Sequence, residues 1–332
     1  MSRQLHLPRA SRPLALALAA SAALLSACGG GGDTVEALTT ENAQGYAADG
    51  ATMPVNATSA VDSGISVLET ALGSTALGGG AQQPQSAQAL AATITKSVVC
   101  PNGGTVAWTA TGPDLATLQN GQFDTGEVYN LTYTRCGTGD SGAMLDGAVT
   151  LTVNSRTATS ISLTHSTANL SLTTLAGQWT QNGTTSVARS AVNTAVGGIE
   201  VTSNISSPGI ALTSTIGLRQ ASYNLNSLNW TVVRTYDSNG NLAARSHDGQ
   251  VSMDASTPRR PNATLQITTK GMLTLGSDGF AASGSFTVVT ARNTIACTYG
   301  NGTTTITLDV GSDGTVDRSW SLTRPLFIGE AG

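Results

Sequence analysis

Three aspartates close to the C-terminal end of the chain, Asp309, Asp313 and Asp317, recur at every fourth position around a glycine-rich turn. Carboxylate oxygens are the ligands that Ca²⁺ prefers, and this spacing could bring the three side chains together. The pattern departs from an EF-hand loop, because Gly311 and Trp320 stand where that loop has oxygen ligands. A hairpin turn that uses aspartate for its turn propensity is therefore the favoured interpretation, with calcium binding as the weak alternative.

Few residues offer nucleophilic or acid–base chemistry. The string at residues 139–142, Gly-Asp-Ser-Gly, resembles the nucleophile motif of chymotrypsin-like proteases. That family places its histidine before the serine, whereas His165 and His247, the two histidines outside the N-terminal segment, both follow it here, so a polar turn is the better interpretation. His165 follows Ile161 and Leu163 at two-residue intervals, so it should end a strand on the inner face that they share. His247 stands beside Asp248-Gly249 and should lie in a turn. We predict no catalytic residue and no enzymatic activity.

Cysteine usage indicates one structural disulfide. We expect Cys100 to pair with Cys136, because each borders a predicted strand and the loop between them is short, which leaves Cys297 as a free thiol of unassigned role. The spacing contains no C-x-x-C pair, so a zinc site is not expected. No cofactor is predicted.

The composition is typical of an exported β-protein. Charged residues make up only 11% of the chain, hydrophobic residues 39% and aromatic residues 4%. The part that follows residue 27 carries 13 Lys and Arg against 20 Asp and Glu. Phosphate binding needs clustered basic side chains, which are not visible here, so nucleic acid is excluded as a partner.

The N-terminal segment has the three parts of an export signal. Arg3, Arg9 and Arg12 supply positive charge, and residues 14–25 form an Ala/Leu run that is short for a membrane span. The run ends in Leu-Ser-Ala-Cys at residues 25–28, which resembles the lipobox of bacterial lipoproteins. An ordinary secretory signal that happens to lie beside a cysteine is the alternative.

The lipobox resemblance implies cleavage before Cys28 and acylation of its thiol and new amine, with palmitate-type chains. Each buried methylene contributes about 0.8 kcal/mol, so two or three chains would hold the protein durably on a membrane. In that family an aspartate directly after the cysteine retains the protein in the inner membrane. Here Gly29 takes that position, so the resemblance implies the outer membrane, on a side that the sequence leaves open.

Four segments follow from these patterns: a signal peptide at 1–27, the lipidated Cys28 with a flexible tether at 28–57, a short helix and linker at 58–96, and a β-domain at 97–328. The helix is predicted from the apolar stripe of Val61, Ile65, Leu68 and Leu72. In the last segment apolar residues alternate with Thr, Ser and Asn, as in half-buried strands.

Asn-Gly and Asp-Gly pairs punctuate the β-domain as expected for hairpin turns, although some could instead start strands or form bulges. The short connections favour an antiparallel meander. We therefore predict an all-β fold in which a large meander curls into a barrel, half-barrel or sandwich. Four tryptophans could offer glycan-stacking faces, but core packing explains Trp230 better.

A looser resemblance covers about a third of the chain. It combines the lipobox, an Ala-rich segment near Glu41-Asn42-Ala43, the strings at 100–106 and 128–136 and the Leu-Asp-Gly at 145–147, and together they look like uncharacterised proteobacterial β-rich lipoproteins. That family implies no activity. We expect a lipid-anchored envelope protein with a structural, adhesive or binding role. The alternatives are a carrier or chaperone that encloses an apolar ligand in the curled sheet and, less favoured, a carbohydrate-active enzyme.

Overall fold

The computed structural model describes residues 38–72, 92–137, 143–174, 177–216, 219–257, 260–276 and 281–323. Every described residue belongs to one compact unit, Ala37–Gly332. Cys28, the lipobox and the string at 139–142 lie outside the described residues.

One long helix precedes the sheet. Helix α1 spans Thr40–Leu72, 33 residues and therefore about 50 Å. Thr39 caps it, because its hydroxyl accepts a hydrogen bond from the backbone N–H of Asn42 at 3.2 Å. Glu41 lies in the first turn, where a negative charge interacts favourably with the helix dipole. Neither described helix has an apolar stretch long enough to cross a bilayer.

The start of α1 corrects the predicted boundary between tether and helix. The stripe at 58–72 is helical as expected, but residues 40–57, assigned to the flexible tether, are helical as well. Pro54 and three glycines within α1 are poor helix formers. Relative to alanine, proline lowers helix stability by about 3 kcal/mol and each glycine by about 1 kcal/mol. The segment is helical because the sheet packs around it. Such packing cannot be predicted from the local sequence.

Apart from one short helix, the described residues after α1 form one antiparallel sheet of 14 strands, in which each strand pairs with its sequence neighbours in the order β1 to β14. The all-β meander is therefore confirmed. The strands are β1 Ala92–Val99, β2 Thr105–Gly112, β3 Val128–Gly137, β4 Met144–Arg156, β5 Ser160–Thr174, β6 Gly177–Asn193, β7 Ile199–Ile216, β8 Arg219–Tyr236, β9 Leu242–Thr257, β10 Arg260–Leu275, β11 Ala281–Val289, β12 Asn293–Gly300, β13 Thr303–Val310 and β14 Arg318–Thr323. A second helix, α2 Leu115–Gln119, follows β2. Strand β1 begins within the predicted linker, five residues before 97.

Bulges bend the long central strands. Three of the Asn-Gly or Asp-Gly pairs lie inside β4, β6 and β9 rather than in turns, each beside a break in register with a neighbouring strand. At Gly147, φ is +115°, and a Cβ atom would lie 2.3 Å from the carbonyl oxygen of Asn169. Only glycine fits this close approach. Such bulges bend strands and increase the local twist, which allows the sheet to curl.

The apolar faces predicted from alternation form the core. Tyr129, Leu131 and Tyr133 are buried, whereas the intervening Asn130 and Thr132 are exposed. The same inner face across the sheet packs on α1, whose residues are buried on nearly every side. Strands β1 and β14 do not pair with each other in the described part of the chain. The architecture is therefore an open, curled sheet wrapped around a helix.

The predicted disulfide is confirmed. Cys100 and Cys136 are bonded, with their Cα atoms 5.3 Å apart, and they join the loop after β1 to the end of β3. Cys297 is free and buried on the inner face of β12. Burial raises the pKa of its thiol, which therefore stays protonated.

Candidate functional site in the concave face

Helix α1 crosses the concave face from the late strands to the early ones. Near its start, Thr40 accepts a hydrogen bond from Arg318 of β14 at 3.2 Å. Near its end, the carbonyl of Gly64 accepts one from the hydroxyl of Tyr133 on β3 at 3.0 Å. In between, the hydroxyl of Tyr223 on β8 donates to Asp49 at 3.0 Å. The face on which a carrier would hold an apolar ligand is therefore occupied by the chain's own helix.

The second half of α1 carries a polar stripe that is directed into the sheet. Each member lies three or four residues from another member, so they share one helix face: Ser59, Asp62, Ser63, Ser66 and Glu69. Opposite them, the inner face of the sheet presents Arg189 of β6, Arg234 of β8 and Arg245 of β9. We call these eight residues, together with Ser203 of β7, the ionic cluster.

Asp62 is the centre of the ionic cluster. One carboxylate oxygen lies 2.5 Å from Nε of Arg234, and the other lies 3.8 Å from Nη1 of Arg189 and accepts a 2.7 Å hydrogen bond from the hydroxyl of Ser203. Burial alone would raise the pKa of Asp62. The two guanidinium groups and the Ser203 hydrogen bond outweigh it and lower the pKa to about 2. Asp62 is therefore ionised at neutral pH.

Glu69 and the serines complete the ionic cluster. Glu69 lies 3.3 Å from Nη2 of Arg189. Its pKa is raised, because burial and the neighbouring Asp62 charge outweigh the attraction of Arg189. Ser66 accepts from Arg189 at 3.0 Å, and Ser63 accepts from Arg234 at 3.0 Å.

The ionic cluster fixes the position of α1 rather than offering a reactive group to solvent. Asp62, Arg189 and Arg234 are each at most 2% exposed, and their charges are mutually paired. Arg245, which is half-buried, donates to the hydroxyl of Ser59. A buried charge that loses its partner is costly, so sliding α1 by one turn would be strongly unfavourable.

Both histidines that the structure describes, His165 and His247, lie inside the sheet. His165 faces inward as predicted, but it lies in the interior of β5 rather than at a strand end, and burial lowers its pKa to about 4. The prediction of a turn at His247 is wrong. This residue is fully buried in β9, where Asp248-Gly249 forms a bulge, and Nδ1 accepts a 3.1 Å hydrogen bond from the indole N–H of Trp230. Burial lowers the pKa of His247, so both imidazoles are neutral at pH 7.

The calcium alternative is not supported by the geometry at the β13–β14 turn. Asp309 accepts hydrogen bonds from the backbone N–H groups of Asp313 and Gly314, at 3.1 and 2.9 Å. Asp313 accepts from Thr315 N–H, and Asp317 accepts from a β13 N–H at 2.7 Å. The described residues contain no group of three or more Asp, Glu, His or Cys arranged to hold a metal ion. These carboxylates stabilise the turn.

The outer face presents hydroxyl and amide groups. A groove of about 360 Å³ crosses β8, β9 and β10, and Asp254 is the carboxylate in its lining. Both oxygens of Asp254 already accept hydrogen bonds, from the amide of Asn226 at 2.9 Å and from the hydroxyl of Thr264 at 2.6 Å. Paired carboxylates for glycoside hydrolysis are therefore not found in this groove. Glycan stacking is not supported by Trp108, Trp179 and Trp230, which are buried.

Sequence reasoning missed the ionic cluster, although a signal for it was present. Arg189 lies two residues after the inward-facing Val187, and Arg234 lies two residues after the inward-facing Val232, so both arginines share the inner face. Arginine at an inward strand position requires a buried partner. The acids of the helix were candidates for that role.

Comparison with protein-family models, with curated proteins and with solved structures finds no match for this chain. The lipoprotein assignment accordingly rests on the N-terminal residues described above.

Proposed function

We propose that this chain is a lipid-anchored protein of the bacterial cell envelope that acts in a structural, adhesive or binding role, without catalysis. The lipobox at residues 25–28 supports attachment through Cys28, and Gly29 supports the outer membrane as its destination. The membrane is then a partner through the acyl chains, and the curled sheet is available to a macromolecular partner.

The occupied concave face is the observation that carries this proposal. A carrier needs a concave apolar site that its ligand can enter. In this chain α1 fills that site, and the ionic cluster holds the helix there through charges that would lose their partners if it left. What remains for recognition is the outer face, rich in hydroxyl and amide groups, and the two sheet edges.

The test is an intact-mass measurement with lipid analysis on the full chain purified from bacterial membranes. We expect the mass of a polypeptide that begins at Cys28 plus acyl chains, and loss of the acyl mass in a Cys28→Ala variant. An unmodified Cys28 in the purified protein would refute the anchor. A stoichiometric lipid that copurifies with the Cys28→Ala chain would instead support the carrier hypothesis.

A further inference from the structure

Strand β1 is an edge of the sheet with an unusually regular backbone. All eight of its residues pair with β2 without a register break, from Ala92 opposite Gly112 to Val99 opposite Thr105. Within the described ranges no strand lies on its other side. An edge of this kind presents unpaired N–H and C=O groups that can template a further strand.

The inner face of β1 carries an apolar–basic–apolar pattern. Ile94 and Val98 are half-buried and pack against the core, whereas Lys96 between them is exposed. The ammonium group of Lys96 lies 5.6 Å from the ring centroid of Trp108. None of the ion pairs formed among the described residues includes Lys96. Its charge is therefore available to a group that arrives alongside the edge.

The other edge differs. Strand β14 has six residues, and its inward-facing Arg318 already donates to Thr40 of α1. An inward-pointing charge on an edge strand opposes pairing with neutral or like-charged strands. The inward charge on β1, Lys96, has no ion-pair partner among the described residues, so it opposes neutral or basic strands and favours a strand that brings a carboxylate.

We propose that the free edge of β1 binds an extended segment of a partner protein that has a carboxylate side chain facing Lys96 and apolar side chains facing Ile94 and Val98. This inference rests on the binding role proposed above and assigns the chemistry of the partner. Main-chain hydrogen bonds supply affinity in strand addition, and alternate side chains supply specificity. A second copy of β1 paired about Lys96 would oppose two ammonium groups, so the edge disfavours self-pairing.

The test uses two fluorescent peptides, TVTETVT and TVTKTVT, and the full chain purified in detergent. Opposite charges across a strand pair stabilise it and like charges destabilise it, so the glutamate peptide should bind about 2- to 30-fold more tightly in fluorescence anisotropy. Lys96→Glu should reverse this preference. The matched control is Lys270→Glu, which changes the chain's other lysine, exposed on β10, and should leave the preference unchanged.

Absence of binding, equal affinity for the two peptides, or a preference that survives Lys96→Glu would each overturn the proposal. So would a concentration-dependent dimer that Lys96→Glu abolishes, because the occupant would then be a second copy. The acyl mass on Cys28 is measured in the same preparation. An acylated chain that ignores both peptides refutes the edge site alone, whereas an unmodified chain that binds them refutes the anchor alone.

Discussion

Removing the carboxylate at the centre of the ionic cluster should be among the most damaging changes to this fold. Asp62→Asn leaves two guanidinium groups buried, those of Arg189 and Arg234, without the charge that lies 3.8 and 2.5 Å from them. Breaking a buried pair by removing one partner costs about 3–5 kcal/mol. Ser203→Ala keeps the charge and removes only the 2.7 Å hydrogen bond, so it should cost about 1.5–3 kcal/mol.

The assay is urea unfolding of the full chain, followed by its tryptophan fluorescence, because three of the four tryptophans, Trp108, Trp179 and Trp230, are buried. Glu41→Gln, an exposed change in the first turn of the same helix, is the matched control and should cost less than about 1 kcal/mol. A double variant, Asp62→Asn with Arg234→Met, should lose less stability than the sum of the two single changes, by about 1–3 kcal/mol. Additive losses, or an Asp62→Asn cost no larger than that of Glu41→Gln, would refute the coupling described here.

The pH dependence gives an independent check on Asp62. Its pKa falls from 3.8 in the unfolded chain to about 2 in the folded one, so the stabilisation is fully present above about pH 4 and is lost as the pH falls towards 2. The shift corresponds to about 2 kcal/mol. The stability difference between the native chain and Asp62→Asn should therefore shrink by about that amount between pH 5 and pH 2. A difference that stays constant over this range would contradict the assigned pKa.

Three further outcomes follow from the packing. Gly50→Ala places a methyl group 2.7 Å from the Val288 side chain of β11 and should cost about 1–2 kcal/mol despite the better helix propensity. In Gly64→Ala the new methyl group lies 3.3 Å from the Tyr133 hydroxyl, a milder contact, so stability should change by less than about 1 kcal/mol; urea midpoints compare the two. Reducing the Cys100–Cys136 bond, which closes a 36-residue separation, should lower unfolding stability by about 2–4 kcal/mol, measured with and without reductant. Added calcium should leave the thermal midpoint unchanged, because the carboxylates of the 309–317 turn already accept backbone hydrogen bonds; a rise that chelator reverses would contradict this.

Alternation along single strands made the sheet predictable. Residues such as Leu131 and Trp230 face the core as their parity indicates, because side chains on a strand alternate strictly between its two faces. The disulfide between Cys100 and Cys136 was predicted because each cysteine borders a strand and the loop between them is short. Both features depend on residues that are close in the sequence, so they can be predicted from it.

Features that depend on contacts between distant parts of the chain were not predictable in the same way. Residues 40–57 lack a clear apolar stripe, since small side chains such as Ala47 and Gly50 suffice when a sheet encloses the helix on several sides. His247 looked like a turn residue because Asp-Gly follows it, yet that pair forms a bulge inside β9. The partners of Arg189 lie more than 100 residues away on α1, and no local pattern joins them.

Amide hydrogen exchange across α1 in the full chain is the most direct test of the claim that this helix fills the concave face. We predict that residues 43–69 exchange as slowly as the central strands β7 and β8, and that phospholipid vesicles do not change this protection. Fast exchange throughout residues 43–69, or protection that is lost when lipid is added, would contradict the account and favour a groove that opens to an apolar ligand.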